Sequence, residues 1–248
     1  MLKKIFITGF MHSGTSILKS IIGHIPSVYE LNNESKEYFI EDTLSGYQVS
    51  YIHPLHQTWH HESIPLNKQW VVGKEPHMIN NILEDRYKDY TVILIMRNPL
   101  WIFSSMNRRV DYYIDGDIPF YESAVERFLL LKDKAPSNIH TIEYENMFPN
   151  NFKALRDLLD KIGLKYTDDI FNNTKYSNKT ADWINRNKIA VEPHPTQHEA
   201  FRTYQLNQPF VNNNLAHKID LSYNQKEFLR KNKMVHKLYP EVKEYFKQ

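Results

Sequence analysis

The sequence contains no cysteine. That excludes disulfides, thiolate-bound zinc and cysteine nucleophiles, and it suits a reducing compartment. No stretch approaches the roughly 20 apolar residues of a membrane-spanning helix. The opening MLKKIFITGF carries two lysines, but its apolar run is short and stops at Thr8-Gly9, so it does not read as a secretory signal. Neither charge sign is in excess: 31 Lys and Arg face 29 Asp and Glu, a formal net charge of +2. Such a balance argues against a general field for nucleic acid or an anionic membrane. Any anion must be held by a local site. Internal repeats and low-complexity tracts are missing too. The expectation is a cytoplasmic protein with no nucleic-acid and no membrane partner.

What is present is the composition of a folded chain, 41% hydrophobic, 13% aromatic and 24% charged over 248 residues. That length suits one α/β domain spanning 1–248, with a core that needs no disulfide or structural metal. Residues 4–8, Lys-Ile-Phe-Ile-Thr, read as a buried strand stopped by Gly9. From Ser13 to His24 the apolar Ile17, Leu18, Ile21 and Ile22 recur at helical spacing before Pro26. Residues 91–96, Thr-Val-Ile-Leu-Ile-Met, form a continuous apolar run, as in a parallel strand covered on both faces. Pro99 then opens a helix reaching about Arg109. Further helices are expected near 119–134 and 149–162, a strand at 139–143, and a helical tail from Ser222 to Phe246. The alternation predicts a P-loop-like three-layer α/β fold, a central parallel β-sheet flanked by helices. Residues 42–69 and 174–215 break the alternation and are expected to be excursions over the ligand edge of the sheet, where an acceptor would sit.

Gly9-Phe10-Met11-His12-Ser13-Gly14-Thr15-Ser16 has P-loop spacing between strand and helix. Such a turn aims backbone N–H groups and a helix N-terminus at one anion. The lysine that a triphosphate-binding loop carries after its second glycine is replaced by Thr15. The loop therefore suits a single terminal phosphate, held by amides and by hydroxyls of Ser13, Thr15 and Ser16, without Mg²⁺. The glycines could instead serve only a tight turn, with Ser13 as a helix cap. A second anion motif weighs against that. Arg97 ends the strongest strand, offering a fixed fork for phosphate, and Ser105 follows two helical turns later. Alternatively Arg97 pairs with a carboxylate and Ser104-Ser105 face solvent.

Taken together these segments resemble the sulfotransferase superfamily. Residues 10–16 look like its 5′-phosphosulfate loop, P-[KR]-S-G-T-[TS], and Arg97-Asn98-Pro99 with Ser105 looks like its 3′-phosphate motif, R-[ND]-P-x5-S. Gly73-Lys74-Glu75-Pro76 resembles a K-x-P element of the tyrosylprotein- and carbohydrate-type branches. Glu143-Tyr144-Glu145-Asn146, then Pro149 and Ile162-Gly163-Leu164, resembles the Y-E-x-x … P … L-G-L segment. The matches are ordered from about residue 5 to residue 164. The resemblance implies 3′-phosphoadenosine 5′-phosphosulfate (PAPS) as donor and adenosine 3′,5′-bisphosphate (PAP) as product. His12, Ser13, Gly14, Thr15 and Ser16 would hold the 5′ side, Arg97 and Ser105 the 3′-phosphate, and Tyr144 would lie near the adenine or simply fill the core.

By the same resemblance Lys74 would touch the transferring sulfonate. Glu34, in Asn33-Glu34-Ser35, would be the base, with Glu30 the other carboxylate in that window. The small-molecule branch uses a histidine, which leaves His53, His56, His60, His61 and His77 open. His12 stands where the family places Lys or Arg; it could donate to the leaving group, with a charge that depends on pH. No metal is expected, since an isolated His pair lacks the ligand count of a site. The acceptor is a small molecule or glycan; Tyr47, Tyr51, Trp59 and Trp183 would suit stacking on a sugar or phenol, or belong to the core. Two rivals stand: a P-loop kinase for a nucleoside or other small metabolite, and a non-catalytic nucleotide-binding relative.

Overall fold

The computed structural model describes residues 2–32, 34–35, 37–52, 57–76, 78–108, 115–172, 212, 214 and 218–247. Its frame is a five-stranded sheet of β1 (Lys3–Gly9), β2 (Val28–Glu30), β6 (Trp70–Lys74), β7 (Tyr90–Met96) and β8 (Ile139–Glu143). The order is β2-β6-β1-β7-β8, and every pairing is parallel. The apolar run of β7 is divided between the two faces. Val92, Leu94 and Met96 join one hydrophobic core with Phe6 of β1, while Ile93 and Ile95 join the other with Ile5 and Ile7.

Helices cover each face. The second core receives Leu18, Ile21 and Ile22 of α1 (Thr15–Gly23), Leu155, Leu158 and Leu159 of α4 (Pro149–Lys161), and Ile170 of α5 (Asp169–Asn172). The first core receives α2 (Pro99–Asn107), α3 (Ile118–Lys134) and the short C-terminal helices α6 (Tyr223–Lys231), α7 (Lys233–Leu238) and α8 (Pro240–Tyr245). The expected three-layer α/β fold is what forms. Pro99 occupies the first turn of α2, where a missing N–H costs nothing, and Asn98 caps it by accepting from Leu100 N.

The excursion expected at 42–69 is an antiparallel meander of β3 (Tyr38–Thr43), β4 (Gly46–Ile52) and β5 (Trp59–Pro65). Its alternating pattern buries Tyr38, Val49, Tyr51 and Ile64 and leaves Phe39 and Trp59 exposed. The excursion expected at 174–215 lies outside the described residues except at 212 and 214.

Strand order fixes where a ligand can sit. From β1 the chain crosses to one side of the sheet through α1 toward β2, whereas from β7 it crosses to the other side through α2 and α3 toward β8. The carboxyl ends of the adjacent β1 and β7 therefore flank a topological switch point, the crevice in which open α/β sheets bind ligands.

Candidate active site

The loop after β1 turns on two residues with positive φ, His12 (62°) and Gly14 (94°). Gly14 has a second reason to lack a side chain. A Cβ there would lie 2.6 Å from the Tyr144 ring, which closes over the turn from the end of β8. Ser13 is fully buried, and its Oγ has no hydrogen-bond partner among the described residues. An orphaned buried hydroxyl inside an amide-lined turn is what a bound oxyanion would satisfy. Ser13 is not the helix cap; Gly14 holds that position without a side-chain bond.

Arg97 leaves the end of β7 and turns toward this loop. Its Nη1 donates to the His12 carbonyl at 3.1 Å, and its guanidinium lies 4.5 Å from the Tyr144 ring centroid. His12 Nδ1 in turn meets Ser105 Oγ of α2 at 2.9 Å. The two anion motifs are thus one site, joined by direct contacts. Among the described residues Arg97 makes no ion pair with a carboxylate, and Ser104 and Ser105 do not face solvent: both are buried. Ser104 bonds the Leu100 carbonyl and accepts from Asp220 N, which leaves Ser105 as the hydroxyl on the loop side.

The fork of Arg97 is occupied by a residue that motif reading missed. Nε and Nη2 both donate to Asn214 Oδ1, at 2.9 and 2.5 Å. Asn214 Nδ2 donates to Glu145 Oε1 at 2.8 Å, and Asn98 N donates to the same oxygen at 3.0 Å. Burial, opposed by these hydrogen bonds and by Arg97, raises the Glu145 carboxyl above its ordinary range. Burial likewise lowers Arg97, though a guanidinium stays charged. Asn214 sits in an asparagine-rich stretch with no spacing signal, so no pattern singled it out.

On the other flank of β1, β6 delivers Lys74, buried to 1% exposure at the strand end and in register with Ile7. It forms an ion pair with Glu34, so the expected base and the expected cation meet. Gly73 makes this approach possible: a Cβ there would lie 2.7 Å from Ser35 Oγ and 2.8 Å from the Tyr38 ring. Ser35 N donates to the Lys74 carbonyl, tying the loop to the strand. Glu34 and Ser35 belong to neither a helix nor a strand.

Glu30 occupies different ground. It is 4% exposed, bonded to Ser20 Oγ and 3.9 Å from Lys19 Nζ, packed beneath α1 at Gly23. Of the five histidines held open, His53, His56 and His77 lie outside the described residues. His60 and His61 stand on β5, engaged by Thr58 and Ser50. Tyr51 is core, bonded to Glu62; Trp59 is exposed beside Phe39, and Tyr47 is half-buried; Trp183 lies outside the described residues. Among the described residues no group of three or more His, Asp or Glu is arranged to hold a metal ion, and no helix is long and apolar enough to cross a membrane.

A parallel α/β sheet with the two motifs joined at its switch point defines an α/β protein with a candidate ligand crevice. The comparisons narrow the class. A model of the sulfotransferase family matches residues 48–168, a span that includes Lys74, Arg97, Ser105 and Tyr144 but not the first loop or Glu34. That match takes in just under half of the chain, so the sulfotransferase family is what the chain is similar to. Among solved structures, mouse sulfotransferase SULT7A1 complexed with PAP shares the fold at 15% identity, covering 98% of this chain and 88% of that one with a TM-score of 0.51. A sulfotransferase from Mycobacterium tuberculosis H37Rv aligns at 14% identity over 71% and 72% of the two chains, TM-score 0.45. Retinol dehydratase in a complex with retinol and PAP aligns at 11% identity over 98% and 82%, TM-score 0.43. No curated protein sequence matches the chain.

Proposed function

We propose that this enzyme transfers a sulfonate from PAPS to a hydroxyl or amine of a small-molecule or glycan acceptor, with Glu34 as base. The observation that carries the reading is the contact of Arg97 with the His12 carbonyl, which brings the two phosphate motifs within one adenosine's reach of each other. Ser13, Thr15 and Ser16, with the loop amides, fit the 5′-phosphate. The buried, unpartnered Ser13 Oγ supports that fit. Arg97 and Ser105 fit the 3′-phosphate, and the Tyr144 ring over Gly14 offers a face to the nucleoside. The donor supplies an activated S–O bond.

The remaining chemistry falls to side chains. Glu34 takes the acceptor proton, so that the acceptor atom bonds to sulfur as the bond from sulfur to the phosphate oxygen breaks. Lys74 moves from Glu34 to the sulfonate when the donor enters, which frees the carboxylate and neutralises the charge that develops. His12, held by Ser105, donates a hydrogen bond to the departing phosphate oxygen. A buried ion pair that exchanges partners on ligand entry reconciles a solvent-poor site with a working base.

Calorimetry separates this reading from its rivals. PAP should bind in the presence of a chelator, and ATP with Mg²⁺ should bind no better. Tight ATP binding that needs Mg²⁺ would favour the kinase. PAP binding without release of PAP from PAPS across a broad acceptor panel would favour the non-catalytic relative.

A further inference from the structure

Lys19 of α1 is fully buried, yet neither phosphate motif includes it. Its Nζ donates to the Leu31 carbonyl and lies 3.9 Å from Glu30 Oε1. Leu31 opens the short segment that carries Glu34, and besides the Lys74–Glu34 pair the described residues pin that segment through four hydrogen bonds. Leu31 N donates to the Val72 carbonyl, and Ser35 N to that of Lys74, each at 3.0 Å. Asn32 N donates to Glu62 Oε1 at 2.9 Å, and the Leu31 carbonyl receives Lys19. Three of these four bonds come from main chain or from a carboxylate; only that of Lys19 brings a positive charge.

We propose that Lys19 is a positioning residue for Glu34: its ammonium fixes the segment at Leu31 and supplies the second cation that balances Glu30, Glu34 and Glu62 around Lys74. The inference rests on the role given to Glu34 under Proposed function. A lysine sealed from water is costly unless it is paired, so its retention here calls for a use. The charged groups facing it are Glu30 from β2, Glu34 from the segment itself, Glu62 from β5 and Lys74 from β6. Burial lowers Lys19 to about 8, with Glu30 opposing that fall and Lys74 adding to it. While Lys19 is protonated, two ammoniums face three carboxylates. Once it is neutral, Lys74 alone faces the same three, which draws Lys74 off Glu34 and repels an incoming sulfonate.

Coupling between Lys19 and Glu34 can be read without knowing the acceptor. The full-length protein, labelled with ¹³C at glutamate carboxyls, is titrated, and the Glu34 resonance is assigned by its loss in Glu34→Gln. The expected result is an inflection of the Glu34 signal near the pH at which Lys19 loses its proton. Glu30→Gln, isosteric and uncharged, removes the main opposing charge and moves that inflection down by roughly one pH unit or more. Lys19→Arg, which cannot deprotonate, abolishes it below about pH 10. Lys19→Met serves if the arginine does not fit: it too loses the inflection, and it slows conversion of PAPS to PAP about 10-fold or more while PAP affinity changes less than about 3-fold. A Glu34 signal with no inflection, or one that stays in place in Glu30→Gln and Lys19→Met, overturns the proposal. Failure of the wild type to bind PAP would instead strike the functional reading beneath it.

Discussion

Replacing Arg97 with alanine tests the donor site most sharply, because the structure fixes what the fork must give up. A guanidinium gripping one phosphate through two charge-assisted hydrogen bonds contributes about 3–5 kcal/mol. Here the fork is not idle. Nε and Nη2 already hold Asn214 Oδ1, and a neutral amide contact of this kind offsets about 1 kcal/mol of the gain. The net expectation is about 2–4 kcal/mol, a loss of roughly 30- to 1,000-fold in PAP affinity. Affinity alone would be ambiguous, since Arg97 also steadies the first loop through the His12 carbonyl. The decisive quantity is therefore a ratio. Calorimetry on wild type and Arg97→Ala, each with PAP and with adenosine 5′-monophosphate, isolates the 3′-phosphate, because loosening of the loop affects both ligands alike. Wild type should prefer PAP by the full factor, and the variant should lose nearly all of that preference. Arg97→Lys should fall between them, keeping charge without the fork. A variant that binds both ligands more weakly but keeps its preference would refute the assignment of Arg97 to the 3′-phosphate.

Glu34→Gln should lower PAPS turnover by about 10²–10⁴ while PAP binding stays within a few-fold, since the base acts on the acceptor rather than the nucleotide; equal turnover would dismiss Glu34. His12→Lys should preserve or raise turnover and flatten any fall in rate as pH rises, whereas His12→Ala should slow the reaction; unchanged turnover in His12→Ala would remove its role as a donor to the leaving group. Glu145 affects stability rather than chemistry. Its carboxyl is raised by burial, so its contribution to stability is present below the ordinary carboxylate value of 4.5 and is lost as pH rises through the higher folded value. Glu145→Gln keeps an acceptor for Asn98 N and Asn214 Nδ2, so it should melt higher than wild type near neutrality. The difference should close as the pH falls to about 4.

The sheet was legible where burial on two faces left an unbroken apolar run, as at β7, and where a strand was flanked by punctuation, as at β1 with Gly9. It was illegible at β2 and β6, which are short and lie between stretches of mixed polarity. There the strand exists because its neighbours pair with it. The meander at 38–65 shows the converse. Its residues alternate as strands should, but histidine, tyrosine and proline mask the period, and only the antiparallel register sorts buried Tyr51 from exposed Trp59.

The site divides along the same line. The residues proposed to touch a ligand through a fixed local geometry, Ser13 to Ser16 and Arg97 with Ser105, carry a spacing along the chain. Lys19, Glu62, Glu145 and Asn214 meet other side chains from distant parts of the chain, and no spacing along the chain encodes such a meeting. One clue was nonetheless present. In α1 nearly every position is buried, Lys19 among them. A lysine on a helix too apolar to offer it water must find a carboxylate and an acceptor inside. Glu30, one of the two carboxylates expected in that window, is the partner it finds, and that engagement favours Glu34, paired with a lysine at the strand end, for the role of base proposed above.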